Sequence, residues 1–492
     1  MKMFNTTSRN MPYLRLIPFI CLISFLTAGC AQTEKTYYAI EISGNLVGYT
    51  ETITALDEDT GHPRKSDTRT FAMMTMLGQP FNLETREVCQ YDPDTLKVTY
   101  YDADVRAGQM HTGSTLTLEG NQLRYIPKAG GTAKTITLDP EVLTNEYQLM
   151  QLFTSELSKD GLKQKTYKII DPTRGRITER ICTYLGEEKI IVSGREYDCL
   201  LYSWKDLTLG VSSKIWIDKI SRQAIRSHQS TDTVFYLTDA SIRNRIERAN
   251  IDDRILARVD IRIQDFQAIS YMKVKAKIRS AGEVISSKSL NIPGQQFEGT
   301  VTDNLIEGIF EIEHTPYDGS DAPPFPPDFI NDKNLKPFLE PELLIESDDP
   351  VLIRKAKELT AGAADSWAAV KLLSHWVGTE IAGAIPGGSA RQTFDSRKGE
   401  CGAHSRLFTA FCRAVGIPAR MVMGGVYFYD SGGIFGQHGW NEVYMGKMGW
   451  IPLDTTFKEF DYLDSGHIRI GYLTTFQPTE LEILDFRNDL KK

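Results

Sequence analysis

The chain is 492 residues long, with 41% hydrophobic and 24% charged residues and a formal net charge of −8. These proportions exclude a disordered or fibrous chain, and the length exceeds one ordinary core, so two or three domains are expected. The acidic balance argues against a nucleic-acid partner.

Met1 to Gly29 reads as a leader. Lys2, Arg9 and Arg15 make a basic front, Leu16 to Leu26 is an apolar run too short for a permanent anchor, and Thr27-Ala-Gly precedes Cys30. Small residues directly before a cysteine resemble a bacterial lipobox, although Thr27 stands where Leu is commoner. The resemblance implies cleavage before Cys30 and its lipidation, which would hold the mature chain on a membrane. Ala31 rather than Asp follows, and in a Gram-negative cell the same resemblance implies a place in the cell envelope at the outer membrane, facing the periplasm. An ordinary secreted protein with an incidental cysteine is the plainer alternative.

Residues 30–249 are expected to form a β-rich domain. Short alternating runs recur between turn signals, as in Tyr38-Ala-Ile-Glu-Ile, Lys97-Val-Thr-Tyr-Tyr, Leu123-Arg-Tyr-Ile and Lys214-Ile-Trp-Ile, and predict a large antiparallel sheet. One helix is predicted near Pro140 to Leu157, with Leu143, Tyr147, Met150, Leu152 and Phe153 as its apolar stripe. A curved sheet with a helix resembles the half-barrels of periplasmic lipoprotein-handling proteins, which implies a concave face for lipid or peptide; a spacer or docking domain is the other reading. Cys182 and Cys199 fall on the outer strands of a predicted three-strand meander with turns at Leu185 to Glu188 and Ser193 to Glu196. At two strand spacings they stand beyond bridging distance, and no disulfide is expected.

Residues 250–340 alternate again, in Ala257-Arg-Val-Asp-Ile-Arg-Ile and Met272-Lys-Val-Lys-Ala-Lys-Ile, and predict a smaller β-domain. Ala322-Pro-Pro-Phe-Pro-Pro327 lacks the donors a sheet needs and ends this unit as a linker or strap. Residues 341–492 then open with two helix starts, Pro350 filling the first position of one and Asp365 capping the other.

Gly399 to Thr456 carries the chemistry. Cys401 follows a Gly-Glu break and opens an apolar segment closed by Gly416 and Pro418, which predicts a helix from Cys401 to about Val415 with an exposed thiol on its first turn. There the positive end of the helix dipole favours thiolate. His438-Gly-Trp-Asn-Glu-Val-Tyr-Met and Trp450-Ile-Pro-Leu-Asp454 read as a hairpin. A three-residue loop, Gly446 to Met448, sets Asp454 opposite Trp440 and diagonal to His438, within side-chain reach. A two-residue loop would turn Asp454 to the wrong face.

The strings Gly399-Glu-Cys-Gly-Ala-His404, Ala414-Val-Gly-Ile-Pro-Ala-Arg420, His438-Gly-Trp-Asn-Glu442 and Trp450-Ile-Pro-Leu-Asp-Thr-Thr456 resemble the transglutaminase-like superfamily, relatives of the papain-like thiol enzymes. The resemblance implies an α+β domain, a helix against an antiparallel sheet, with catalytic Cys401, His438 and Asp454. It covers about Leu343 to Ile470. His404 would make Cys401-x-x-His404 a metal half-site completed by His438 and Asp454, but the resemblance gives a complete account without metal or cofactor. Cys412 reads as core and Arg420 as structural; Trp440 and Trp450, as strand residues, read as core, with the shaping of a substrate cleft as the alternative, and neither Glu400 nor Gln437 is given a role.

Two functions remain open. One is a membrane-anchored thiol enzyme acting on amide bonds of peptide or protein substrates in the cell envelope, as peptidase, hydrolase or transglutaminase. The other is a catalytically silent lipoprotein module whose β-domains bind a lipid or protein partner.

Overall fold

The computed structural model describes residues 33–490, save 162, 430, 431 and 473. Cys30 and the leader lie outside the described residues.

The first unit is built on strand Thr33–Ile42, which pairs on one side with Asn45–Leu56 and on the other with Thr233–Thr238. From these neighbours an antiparallel meander runs outward both ways, to Lys134–Thr137 at one margin and Gln164–Asp171 at the other. Alternation sets the faces. In Pro63–Met76 every second residue from Ser66 is buried, ending in Ala72, Met74 and Met76, while threonine hydroxyls pair across strands at Thr50–Thr70 (3.1 Å) and Thr52–Thr68 (3.0 Å). The far margins approach each other, since Tyr125 donates to the Thr173 carbonyl (2.9 Å) and Ser114 to that of Pro172 (2.7 Å). The sheet therefore curls.

Among the described residues the α-helix of this unit is Glu146–Asp160, which starts six residues later than expected. Asn145 caps it by accepting from the Gln148 N–H, while Leu143 is committed to a backbone bridge with Ile169. Tyr147, Met150 and Phe153 pack with Tyr38, Tyr202 and Trp204, but Leu152, predicted in the stripe, is 38% exposed.

The geometry of Cys182 and Cys199 also differs from expectation. Arg176–Val192 is one strand with a bulge between Tyr184 and Gly186, and no turn divides it. The two cysteines lie on neighbouring strands, but Cys182 faces Trp204 and Cys199 faces Glu188. Five positions of stagger separate them by about 16 Å at ~3.3 Å per residue, and both are free thiols.

The expected border at residue 340 is crossed by two strands. Gln477–Arg487, expected in the last domain, pairs with Tyr271–Arg279 in a four-stranded sheet with Leu305–Ile312 and Gln295–Thr302. Leu256–Val259, expected in the smaller β-domain, instead extends the last domain's sheet by pairing with Gly433–Tyr444. The reason is a shared core: Met272, Val274 and Phe310 pack with Tyr427, Phe435, Ile468 and Phe476. The prolines at 323 and 324 form a strap, their carbonyls accepting from the backbone and hydroxyl of Ser366 (2.9 and 2.8 Å).

In the last unit the helices are Pro350–Leu359, capped by Asp349, Ser366–Glu380, capped by Asp365, the unanticipated Ala390–Ser396 with a Ser389–Gln392 capping box, and Cys401–Ala414. The curled sheet docks beside them, through Gln392 donating to the His111 carbonyl (2.9 Å) and Leu344 to that of Ala129 (2.8 Å).

Candidate active site

Glu400 is extended and Cys401 begins the helix, so the chain turns at the thiol and leaves the first-turn N–H groups without a side-chain cap. The helix is buried on every residue from Cys401 to Arg413. Its rotation against strand Gly433–Tyr444 is fixed by three bonds: Ser405 donates to the Gly439 carbonyl (3.1 Å), and the Asn441 amide donates to the Ser405 carbonyl (3.0 Å) and the Thr409 hydroxyl (2.8 Å). With these in place the start of the helix meets His438.

The hairpin has the register of the three-residue loop. Asn441 pairs Leu453, Tyr444 pairs Trp450, and Gly446–Met448 form the turn. Asp454 follows directly, and its Oδ2 lies 2.5 Å from His438 Nε2. Its Oδ1 accepts from the backbone N–H groups of Thr456 (2.6 Å) and Phe457 (3.2 Å). With Nε2 engaged, Nδ1 is the ring nitrogen left for Cys401, which stands close enough to raise the His438 pKa. Trp440 and Phe457 flank the imidazole nearly parallel to it, at 18° and 17°. Cys401, His438 and Asp454 are thus brought together.

They are brought together out of water. Cys401 and Asp454 are 0% exposed and His438 2%, whereas the sequence predicted an exposed thiol. The helix start is covered by neighbouring backbone: Ala382 and Gly383 pair with Lys398 and Gly399, and Gly387 packs against Glu400 and Ala403 so closely that a Cβ there would stand 2.1 Å from a Glu400 oxygen.

Charge in this interior is paired. Burial works against a charged His438, but Cys401 and Asp454 outweigh it and push its pKa up to about 9. Burial likewise works against the Asp454 carboxylate, and His438 and His467 outweigh it, holding Asp454 well below the usual carboxylate range.

His467 is the site residue that sequence reasoning missed. It begins the strand His467–Gly471, is 0% exposed, and sets Nε2 3.3 Å from Asp454 Oδ2. On its other side stand Asp464 and, beyond that, Glu459. Nothing local marks His467, because a lone histidine after the Asp464-Ser-Gly turn has no motif.

The remaining residues have plain roles. Both nitrogens of His404 face backbone carbonyls, those of Glu400 (3.0 Å) and Ile381 (3.1 Å), so it does not complete a metal half-site. One Glu400 oxygen accepts from Arg406 (3.0 Å), and Gln437 accepts from the Phe476 N–H (2.9 Å). Arg420 binds Glu442 and lies 3.7 Å over the Trp450 ring, and Trp440 is core. Donor atoms of His438, Asp454 and His467, and of Glu459, Asp464 and His467, approach within 4.8 Å. The two imidazoles converge on one Asp454 oxygen as hydrogen-bond donors do, and the cluster is a hydrogen-bonded chain.

Residues 353–455 match the family model of the Transglutaminase-like superfamily. No curated protein matches the chain. Similar solved structures include a candidate cysteine protease from Cytophaga hutchinsonii (18% identity, 46% of this chain and 94% of that one, TM-score 0.34). Others are the hypothetical lipoprotein YmcC from Escherichia coli (9%, 43% and 90%, 0.19) and a candidate protease from Parabacteroides distasonis (8%, 86% and 70%, 0.19). The matched segment ends one residue past Asp454 and leaves Glu459, Asp464 and His467 outside it. Residues 353–455 are a transglutaminase-like domain within an α+β chain of mostly antiparallel sheets.

Proposed function

We propose that the protein is a thiol acyl-transfer enzyme acting on amide bonds of peptides or proteins in the cell envelope, anchored to a membrane through lipidated Cys30. The observation that carries the reading is the dry Cys401–His438–Asp454 arrangement, in which the imidazole stands between a thiol and a carboxylate held by two backbone N–H groups. In the reaction the Cys401 thiol gives its proton to His438 as the sulfur bonds to the carbonyl carbon, and the first-turn N–H groups receive the developing oxyanion. His438 gives its proton to the leaving amine as the C–N bond breaks. The thioester then passes to water, with His438 accepting a proton from it, or to a second amine. Asp454 orients the imidazole throughout. The thiol has no exposed surface, so a substrate reaches it only when the chain around it moves.

The test is mass spectrometry of leaderless protein after incubation with envelope extract. An acyl adduct on Cys401, absent in Cys401→Ala, supports the enzyme; no adduct and no turnover on any acyl substrate would reject it. For anchoring, no helix among the described residues is long and apolar enough to cross a membrane. Cys30→Ser is expected to release soluble protein or leave an unprocessed precursor, and a processed variant that stays firmly bound would refute the lipid anchor.

One observation favours the second reading, a binding module. A cavity of about 760 Å³ lies between the curled sheet and the last unit, walled by Tyr101, Ile169 and Val211 on one side and Met421, Met423 and Tyr472 on the other. Lipid or peptide binding there that survives Cys401→Ala, with no turnover in wild type, would make the cavity the seat of function.

A further inference from the structure

We propose that His467 is a positioning residue of this site, clamped by Asp464 and Glu459, which holds Asp454 in place and shares its charge with His438. The proposal rests on the thiol-enzyme reading above.

The first observation is that Asp454 Oδ2 receives two imidazoles, His438 Nε2 at 2.5 Å and His467 Nε2 at 3.3 Å. Together with the Thr456 and Phe457 N–H groups on Oδ1, they give the buried carboxylate four donors. Its rotation is therefore fixed, and so is the direction in which it presents charge to His438.

The second is what stands behind His467. Its Nδ1 lies 3.2 Å from the Asp464 carbonyl and 3.4 Å from the Asp464 carboxylate. Acceptors stand on both sides, so both ring nitrogens donate only when the ring is an imidazolium. Burial opposes that charge, and Asp464 and Asp454 overcome it, raising the pKa to about 9. Asp464 is held by its neighbours: its Oδ1 accepts from the Gly466 N–H (2.6 Å), and its own N–H donates to Glu459 (3.1 Å). Burial, with Asp464 and Asp454 nearby, pushes the Glu459 carboxyl well above its ordinary range. Loop 454–459 is closed on itself by a two-bond backbone bridge between Asp454 and Glu459 (3.0 and 2.8 Å).

The other titratable groups facing His467 are few. His438 stands 5.8 Å away, ring to ring. His314 has its pKa lowered to about 4, first by burial and then by His467, and is neutral. Glu442 and Arg469 pair with each other at 2.7 Å. A cation 5.8 Å from His438 that shares its carboxylate makes His438 release its proton more readily, as a general acid must.

The experiment compares wild type, His467→Gln, His467→Phe and Asp464→Asn by imidazole chemical shifts in histidine-labelled protein, by the pH profile of Cys401 alkylation with chloroacetamide, and by acyl-transfer kinetics. In His467→Gln, which keeps an amide donor and loses the charge, the His438 titration should move up by about one pH unit or more, and kcat should fall about tenfold with KM within about twofold. His467→Phe should be worse and Asp464→Asn intermediate, and the double variant His467→Gln/Asp464→Asn no worse than His467→Gln alone, because Asp464 acts through His467. Thermal unfolding identifies any variant that has lost its fold, and the remaining variants then decide. An unchanged His438 titration and alkylation profile in His467→Gln would overturn the proposal, as would stoichiometric zinc in wild type that His467→Gln loses. If wild type turns over no acyl substrate, the enzyme reading fails, while the chemical shifts still decide whether His467 is coupled to His438.

Discussion

The imidazole of His438 lies on the ring of Phe457, 4.8 Å between centroids and 17° from parallel. Phe457 also gives its backbone N–H to Asp454, so one residue supports both partners of the histidine. A π face over a desolvated imidazolium is worth up to about 2 kcal/mol. Phe457→Leu keeps most of the volume and removes that face, so the His438 titration should fall by about one pH unit and turnover by roughly tenfold. Imidazole chemical shifts and kcat measure the two effects. An unchanged titration would show the stack to be packing only.

Reagent size should sort the thiols. Cys89 is half-buried, whereas Cys182, Cys199, Cys401 and Cys412 are buried. Burial, with nearby carboxylates, pushes the thiols of Cys182 and Cys199 up to about 12, and burial raises Cys412 further from reactivity. Among the described buried thiols, Cys401 is the one beside an imidazole, close enough to raise the His438 pKa. Chloroacetamide at neutral pH should therefore label Cys401 ahead of those three, while a bulky maleimide labels Cys89 first. Peptide mapping reads the order, and prior labelling of Cys412 would contradict the site.

The parts of the site that were legible in the sequence are the local ones. Gly416 and Pro418 closed the Cys401 helix, and Gly446 with Gly449 set a turn from which the diagonal between His438 and Asp454 followed. Long-range pairings were not legible. His467 reaches Asp454 only because loop 454–459 doubles back, and Gln477–Arg487 finds Tyr271–Arg279 about two hundred residues away through a shared core. Gly186 misled for the opposite reason: glycine signals a turn, and here it relieves a bulge in a continuous strand.

Glu87 supplies a pH dependence remote from the site. It lies mid-strand between Thr68 and Ala103, lines the large cavity, and burial pushes its pKa up to about 8. A carboxyl raised in this way favours folding fully below its unfolded pKa, near 4.3, and the benefit drains as pH rises to about 8. Glu87→Gln removes the titration. The variant should match wild type near pH 4 and exceed it above pH 7 by a few kcal/mol, at ~1.4 kcal/mol per pH unit. Chemical denaturation across pH measures the difference, and parallel curves would show Glu87 ionised in the folded state.

Asp454→Asn separates catalysis from architecture. The carboxylate takes two N–H donors on Oδ1 and two imidazoles on Oδ2. Asparagine can keep the first pair through its carbonyl, but its NH2 then meets the ring N–H groups donor to donor. His438 must surrender the Nε2 hydrogen or turn, and in either case its hydrogen moves to the side that should receive the thiol proton. Acyl transfer should fall by about 10²–10⁴, as when other triads lose the carboxylate. Because the group is 0% exposed, stability should fall as well, by about 1–3 kcal/mol for the mismatched donors. The pH dependence identifies the cause. Asp454 is held well below its ordinary range, so it stabilises the fold above the unfolded pKa near 3.9, and that benefit is lost as pH falls toward the folded value. The variant should thus lie closest to wild type in acid and farthest from it at neutral pH. Full activity in Asp454→Asn, with the neutral-pH stability gap present, would mean that the carboxylate holds the fold and takes no part in the chemistry.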